Sequence, residues 1–157
     1  MFLKLRPVDW NDASLLWEWA NETEVRRMAF HSDPITWESH TEWLAKKLAD
    51  DNCLMLVGAD ETGTPVGQVR FDVDPSRGEA VVDVTISPLR RGMGLGCQMI
   101  RDALDIVWRD SRVVRICAFV KSENAGSARA FEKAGFKRGP DSSMSGTSTR
   151  TYSLERV

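Results

Sequence analysis

The stretch SPLRRGMGLGCQMI, Ser87–Ile100, sets two arginines and three glycines at period two between a proline and an apolar run. Glycine disfavours a helix by about 1 kcal/mol against alanine, yet a helical pattern begins here. An ordinary turn needs one glycine. Glycines at 92, 94 and 96 strip side chains from the place where a helix leaves its first N–H groups unpaired and carries partial positive charge. Arg91 adds a full charge beside those donors. The pattern reads as an anion cradle at a helix N-terminus. Two nucleotide motifs fit worse. A GxGxxG fingerprint would need a small residue where Cys97 stands and an opening βαβ unit, and no GxxxxGK[ST] spacing occurs.

Outward from the cradle, AVVDVTIS on its N-terminal side is β-branched and reads as a strand. CLMLVGA and PVGQVRFDV, parted by the turn signal DETGTP, make a hairpin before it. LGCQMIRDALDIVWRDS repeats apolar residues at Met99, Ile100, Leu104, Val107 and Trp108, the single buried face of a helix. VVRICAFV is a strand and SARAFEKAG a short helix closed by Gly135. RTYSLERV makes a last strand after the loop-like PDSSMSGTST. At the front, FLKLRPV is a strand and SLLWEWANE a helix capped by Asn11 or Asp12, with Leu15, Leu16 and Trp19 on one face. VRRMAFHSDPI is a helical turn and loop. TWESHTEWLAKKLADD is a helix begun by Thr36, with Trp43, Leu44 and Leu48 on one side. The whole, residues 1–157, is read as one α+β domain with a mixed sheet.

Composition bounds the partners. A net charge of -2 argues against a broad nucleic-acid-binding face. The first ten residues hold no apolar leader-like run, and nowhere do the roughly 18 apolar residues of a membrane span occur, so a cytoplasmic chain is expected. Cys53, Cys97 and Cys117 form no CxxC, carry no histidine at metal spacing and have apolar neighbours; they read as buried reduced thiols, and no metal is expected.

VTISPLRRGMGLGCQMI resembles motif A of the GNAT superfamily of N-acetyltransferases, [Q/R]xxGx[G/A], through Arg91, Gly94 and Gly96. ENAGSARAFEKAGFKRG is similar to the second signature of that family through Asn124, Ser127, Glu132, Lys133, Gly135 and Phe136. The resemblance implies a central sheet of about six to seven strands splayed between the fourth and fifth, with about four helices. The implied co-substrate is acetyl-CoA, its pyrophosphate held by the backbone of Arg91, Gly92, Met93, Gly94, Leu95 and Gly96. Its pantetheine would pair with Val84 and Ile86, the Ile86 N–H facing the thioester oxygen. Asn124, Ser127 and Phe131 would meet it from the other side. A small-molecule amine is the implied acceptor, and a homodimer the expected assembly.

The reaction is attack of an amine on a thioester. An amine of pKa about 10.4 is neutral about once in a few thousand molecules at pH 7, so a base or a less basic amine matters most. Many relatives carry a tyrosine acid where this chain has Phe131; Ser127 is the candidate acid, with water as the alternative. Asp83, acting through water, is the first candidate base, with Glu79 before it on the strand and His31 and His40 as alternatives. Strand alternation sets Val82, Val84 and Ile86 on one face and Asp83 with Thr85 on the other.

The segment NETEVRRMAFHSDPITWESHTEW resembles the corresponding part of acetyltransferases acting on the 4-amino group of a nucleotide-linked sugar. Arg26, Arg27, His31, His40, Trp37 and Trp43 would supply cations for phosphates and aromatic faces for a base or sugar, or else the tryptophans are core anchors. Acetylation of a protein N-terminus, and a non-catalytic domain that senses acetyl-CoA, are the rival expectations.

Overall fold

In the computed structural model, which describes residues 2–157, the chain runs β1 (Lys4–Pro7), α1 (Ala13–Ala20), α2 (Thr23–Met28), α3 (Trp37–Ala49), β2 (Cys53–Ala59), β3 (Pro65–Asp74), β4 (Glu79–Ile86), α4 (Leu95–Val107), β5 (Arg115–Lys121), α5 (Ala125–Lys133), β6 (Lys137–Arg138), β7 (Ser142–Met144) and β8 (Thr147–Glu155). The sheet order is β1-β2-β3-β4-β5-β8-β6, with β7 on β8. Among the described residues only β4 and β5 pair in parallel.

Strand alternation divides the core in two. Val69, Phe71, Ile100, Ile116 and Tyr152 pack beneath α4 and α5. Met55 and Val57, the other parity of β2, pack with Val8, Leu16, Trp19 and Leu44 beneath α1 and α3. The helix α4 lies close on the sheet because Gly67 lets it: a Cβ there would sit 2.6 Å from the Thr85 carbonyl and 2.9 Å from Met99 Sδ.

Four local expectations need correction. The sheet has eight strands among the described residues, because Lys137–Arg138 forms β6 and PDSSMSGTST is not a loop but holds β7 and the start of β8. Ser145 and Gly146 have φ of 51° and 74°, the two positive values of a type I′ turn, and Met144 pairs with Thr147 across it. Its serines and threonines hide a ladder that needs only main chain. The first helical segment starts earlier, with Asp9 accepting from Asn11 N, while the Asp12 carboxylate turns to Arg6 at 2.7 and 2.8 Å. Leu48 is exposed rather than packed with Leu44. Cys53 and Cys97 are only half-buried; burial pushes the thiols of Cys53 and Cys117 up to about 11.

Thr36 opens α3 as expected, its hydroxyl accepting from Ser39 N. No helix among the described residues is long and apolar enough to cross a membrane, and none of their His, Cys, Asp and Glu side chains gather in threes or more as a metal site.

Candidate active site

The parallel pair is short. Only Glu79–Val81 register with Arg115–Cys117; beyond them β4 stays with β3 and β5 stays with β8 along Ala118–Lys121. Their divergence opens a gap. The β3–β4 register, continued by the Ser87 N–H on the Val66 carbonyl at 2.8 Å, fixes which main-chain groups face it. Odd-numbered residues of β4 bond to β3, so the N–H and C=O of Val82, Val84 and Ile86 turn toward the gap. A cleft of about 1260 Å³ runs through it.

One wall belongs to α4 and α5. Gly94 stands at the N-cap of α4 with φ of 76° and no side chain to cap it. A Cβ on Gly92 or Gly94, both left-handed, would meet nothing within 4 Å, so the loop encloses open space beside the unpaired N–H groups of the first turn. Main-chain donors around an open concavity suit a pyrophosphate, and unpaired strand groups suit the amides of a pantetheine arm. Across the gap, Asn124 Oδ1 caps α5 by accepting from Ser127 N, and its Nδ2 donates to Ser127 Oγ, each at 3.2 Å.

Phe131 lines the cleft edge but is 3 % exposed, stacked on Tyr152 at 6.2 Å and edge-on to Phe136 at 5.2 Å. Tyr152, far along the chain, is therefore next to Phe131 in space. Its hydroxyl donates to Glu132 at 2.8 Å, burial raises its pKa, and it does not line the cleft. Met93 is also absent from the lining, its side chain 54 % exposed.

The opposite wall comes from α1–α3 and the other face of the sheet. Register places Arg70 opposite Asp83 and Gln68 opposite Thr85. Gln68 Nε2 donates to Asp83 Oδ2 and to Thr85 Oγ1 at 3.1 Å, and Arg70 Nη1 lies 3.9 Å from Asp83 Oδ2. Arg70 also reaches Asp72 and lies over the Trp43 ring, 5.1 Å from its centroid. Burial disfavours its charge, but Asp83 and Asp72 outweigh that and raise its pKa. The sequence reading missed Gln68 and Arg70; the signal was a polar row, Gln68-Arg70-Asp72-Asp74, alternating with apolar residues along the strand.

Several expected acceptor residues are already engaged. Arg26 donates from Nε to the Ala20 carbonyl and from Nη1 to those of His31 and Asp33, so it organises the loop after α2, and burial lowers its pKa. Arg27 is held by Glu24 and Glu123. His40 is 3 % exposed between Trp37 and Trp43, with Nε2 2.9 Å from the Ala13 carbonyl. Burial pushes its pKa down. Trp37 stands edge-on to Trp17 and outside the cleft; Arg26, His31, His40 and Trp43 line it. Glu79 lies at the paired end of β4, outside the cleft lining, and its carboxylate accepts from Cys117 Sγ.

A mixed sheet parted beside a glycine-rich helix start is the arrangement that the resemblance to the N-acetyltransferases implies. The model of the acetyltransferase (GNAT) domain family matches residues 3–137, and the chain belongs to that family. It is an acetyl-CoA-dependent N-acetyltransferase. Among curated relatives, the type 1 aminoglycoside N(6')-acetyltransferase of Klebsiella pneumoniae is 24% identical over 148 residues, covering 85% of this chain and 73% of the relative. An N-acetyltransferase 9-like protein of Caenorhabditis briggsae is 27% identical over 134 residues, covering 77% and 67%. Among solved structures, spermidine N-acetyltransferase from Vibrio cholerae with CoA and spermine superposes with a TM-score of 0.86 at 19% identity, covering 98% and 95%. AAC(6')-Ib with ribostamycin and coenzyme A gives 0.85 at 20%, covering 99% and 94%.

Proposed function

We propose that the protein acetylates a primary amine of a small molecule, and that the amine sits on a sugar-like ring. The observation that carries the reading is the through-cleft: main-chain donors and glycines on one wall, a carboxylate with aromatic and amide neighbours on the other. Acetyl-CoA supplies the acetyl group as a thioester. The loop Arg91–Gly96 and the first turn of α4 hold its pyrophosphate, and the N–H groups of Val84 and Ile86 align its arm. The Ile86 N–H points where carbonyl charge develops. Asp83, held by Gln68, takes the ammonium proton from the acceptor, directly or through one water. Ser127 Oγ, oriented by Asn124, is the proton donor on the far lip.

The relatives' names favour small amines: an aminoglycoside carries amines on sugar rings, and spermidine is a small polyamine. The narrower acceptor, a sugar linked to a nucleotide, calls for phosphate-binding cations. Arg26 and Arg27 are engaged elsewhere, so an amino sugar without the nucleotide fits the cleft better. The test is thiol release from acetyl-CoA with a panel of amino sugars, nucleotide-linked amino sugars, polyamines and peptides, followed by product mass. Release with amino sugars and a gain of one acetyl group are expected. Activity with peptides alone would sink the reading, and tight acetyl-CoA binding with no release from any amine would favour the sensor.

A further inference from the structure

The helix α2 bridges the two lips of the gap. At its N-terminal end Glu22 Oε2 accepts from Val25 N at 3.1 Å as the helix cap, and the same oxygen meets Arg91 Nη2 at 2.6 Å. Arg91 belongs to the glycine loop that follows β4. At the other end of α2, Lys121 Nζ donates to the Arg27 carbonyl at 2.9 Å, and Arg27 Nη1 lies 3.4 Å from Glu123 Oε2. Lys121 and Glu123 lie on the far lip, at the end of β5 and just after it. The acceptor wall is thus strapped to both halves of the split sheet, and one strap ends on an arginine of the cradle. Arg91 holds the Glu22 carboxyl below the usual carboxylate range.

We infer that Glu22 is a positioning residue that couples acceptor wall to cofactor loop, its carboxylate competing with an anion in the cradle for Arg91. The inference rests on the proposed seat of the CoA pyrophosphate in Arg91–Gly96. An anion of two charges beside Glu22 is repelled by the carboxylate and attracted by Arg91. Filling the cradle therefore weakens the strap at the N-terminal end of α2, while the ties at Lys121 and Glu123 keep the other end in place. The coupling is reciprocal: an acceptor that needs α2 strapped lowers cofactor affinity by the factor by which the cofactor lowers its own.

Glu22→Gln separates the two jobs of this side chain, because the amide oxygen still caps Val25 N while the charge is gone. In calorimetry with CoA the variant is expected to bind about two- to fivefold more tightly than wild type, the range of a partly exposed ion pair. Hydrogen exchange over residues 22–29 provides a readout apart from activity. In wild type CoA speeds exchange there; in the variant exchange is already fast and CoA adds nothing. A variant that binds CoA equally or more weakly, or an α2 that CoA protects in wild type, overturns the coupling while leaving the cradle assignment standing. Failure of wild type to bind CoA removes the cradle assignment and the coupling together.

Discussion

The two walls of the cleft are built by different means. The α4 and α5 wall offers main chain: glycines with positive φ, an uncapped helix start, and β4 groups turned away from β3. The α1–α3 wall offers side chains brought from four segments, with Asp83 on β4, Gln68 and Arg70 on β3, Trp43 on α3 and His31 after α2. A main-chain wall tolerates change in side chains so long as its backbone conformation survives. A side-chain wall depends on every partner, since an unpaired buried polar group costs about 1–3 kcal/mol.

That contrast can be broken by substitution. The largest effect is expected from Gly94→Trp, which must adopt φ of 76° and fills the open cradle. Calorimetry should show CoA affinity reduced by about 100-fold or more. Unchanged affinity would overturn the main-chain account of this wall. Next, Asp83→Asn should lower kcat by about 10²–10⁴ with CoA affinity kept, the loss typical of a proton-transfer group; a loss of CoA affinity instead would place Asp83 on the wrong wall. Ser127→Ala sharpens the far lip. If Ser127 donates a proton, kcat falls by more than the affinity for CoA does; equal losses would reduce it to a contact.

Smaller effects concern the acceptor scaffold. Asp12→Ala removes the paired bonds from Arg6 and leaves the Asp9 N–H without its acceptor. A loss of about 1–3 kcal/mol in denaturant unfolding is expected, with the acceptor KM raised and CoA affinity kept. Acid should reach the same scaffold through His40. Its folded pKa is depressed by burial, so its contribution is complete above the unfolded value of about 6.5 and is lost as pH falls toward the folded value. The thermal midpoint of wild type should therefore drop between pH 7 and 5.5 by more than that of His40→Phe. Equal drops would show that His40 binds its proton as readily in the folded protein as in the unfolded one.

The walls also differed in how far they could be read without coordinates. Gly92 and Gly94 are legible in place, because a positive φ and a bare helix start are properties of a few consecutive residues. Alternation likewise assigned Asp83 and Val84 to opposite faces. Arg26 and His40 could not be placed this way. Both line the cleft, and what holds each of them there comes from contacts distant in sequence: carbonyls of Ala20, His31 and Asp33 for one, Ala13 and two indoles for the other. Gln68 and Arg70 stood unmarked because their meaning depends on cross-strand partners 17 and 13 residues away, Thr85 and Asp83.

The sequence by itself determined the family and most of the element order, with α2 read as no more than a helical turn, and it marked the glycine-rich start of α4, because each rests on local pattern and backbone freedom. Tertiary structure alone decided where β4 and β5 part, which side chains share the acceptor wall, and that Glu22 meets Arg91. Those depend on the register of strands and on contacts between residues as many as 96 apart, as between Arg27 and Glu123. Such contacts form only once the two cores have packed on opposite faces of one sheet.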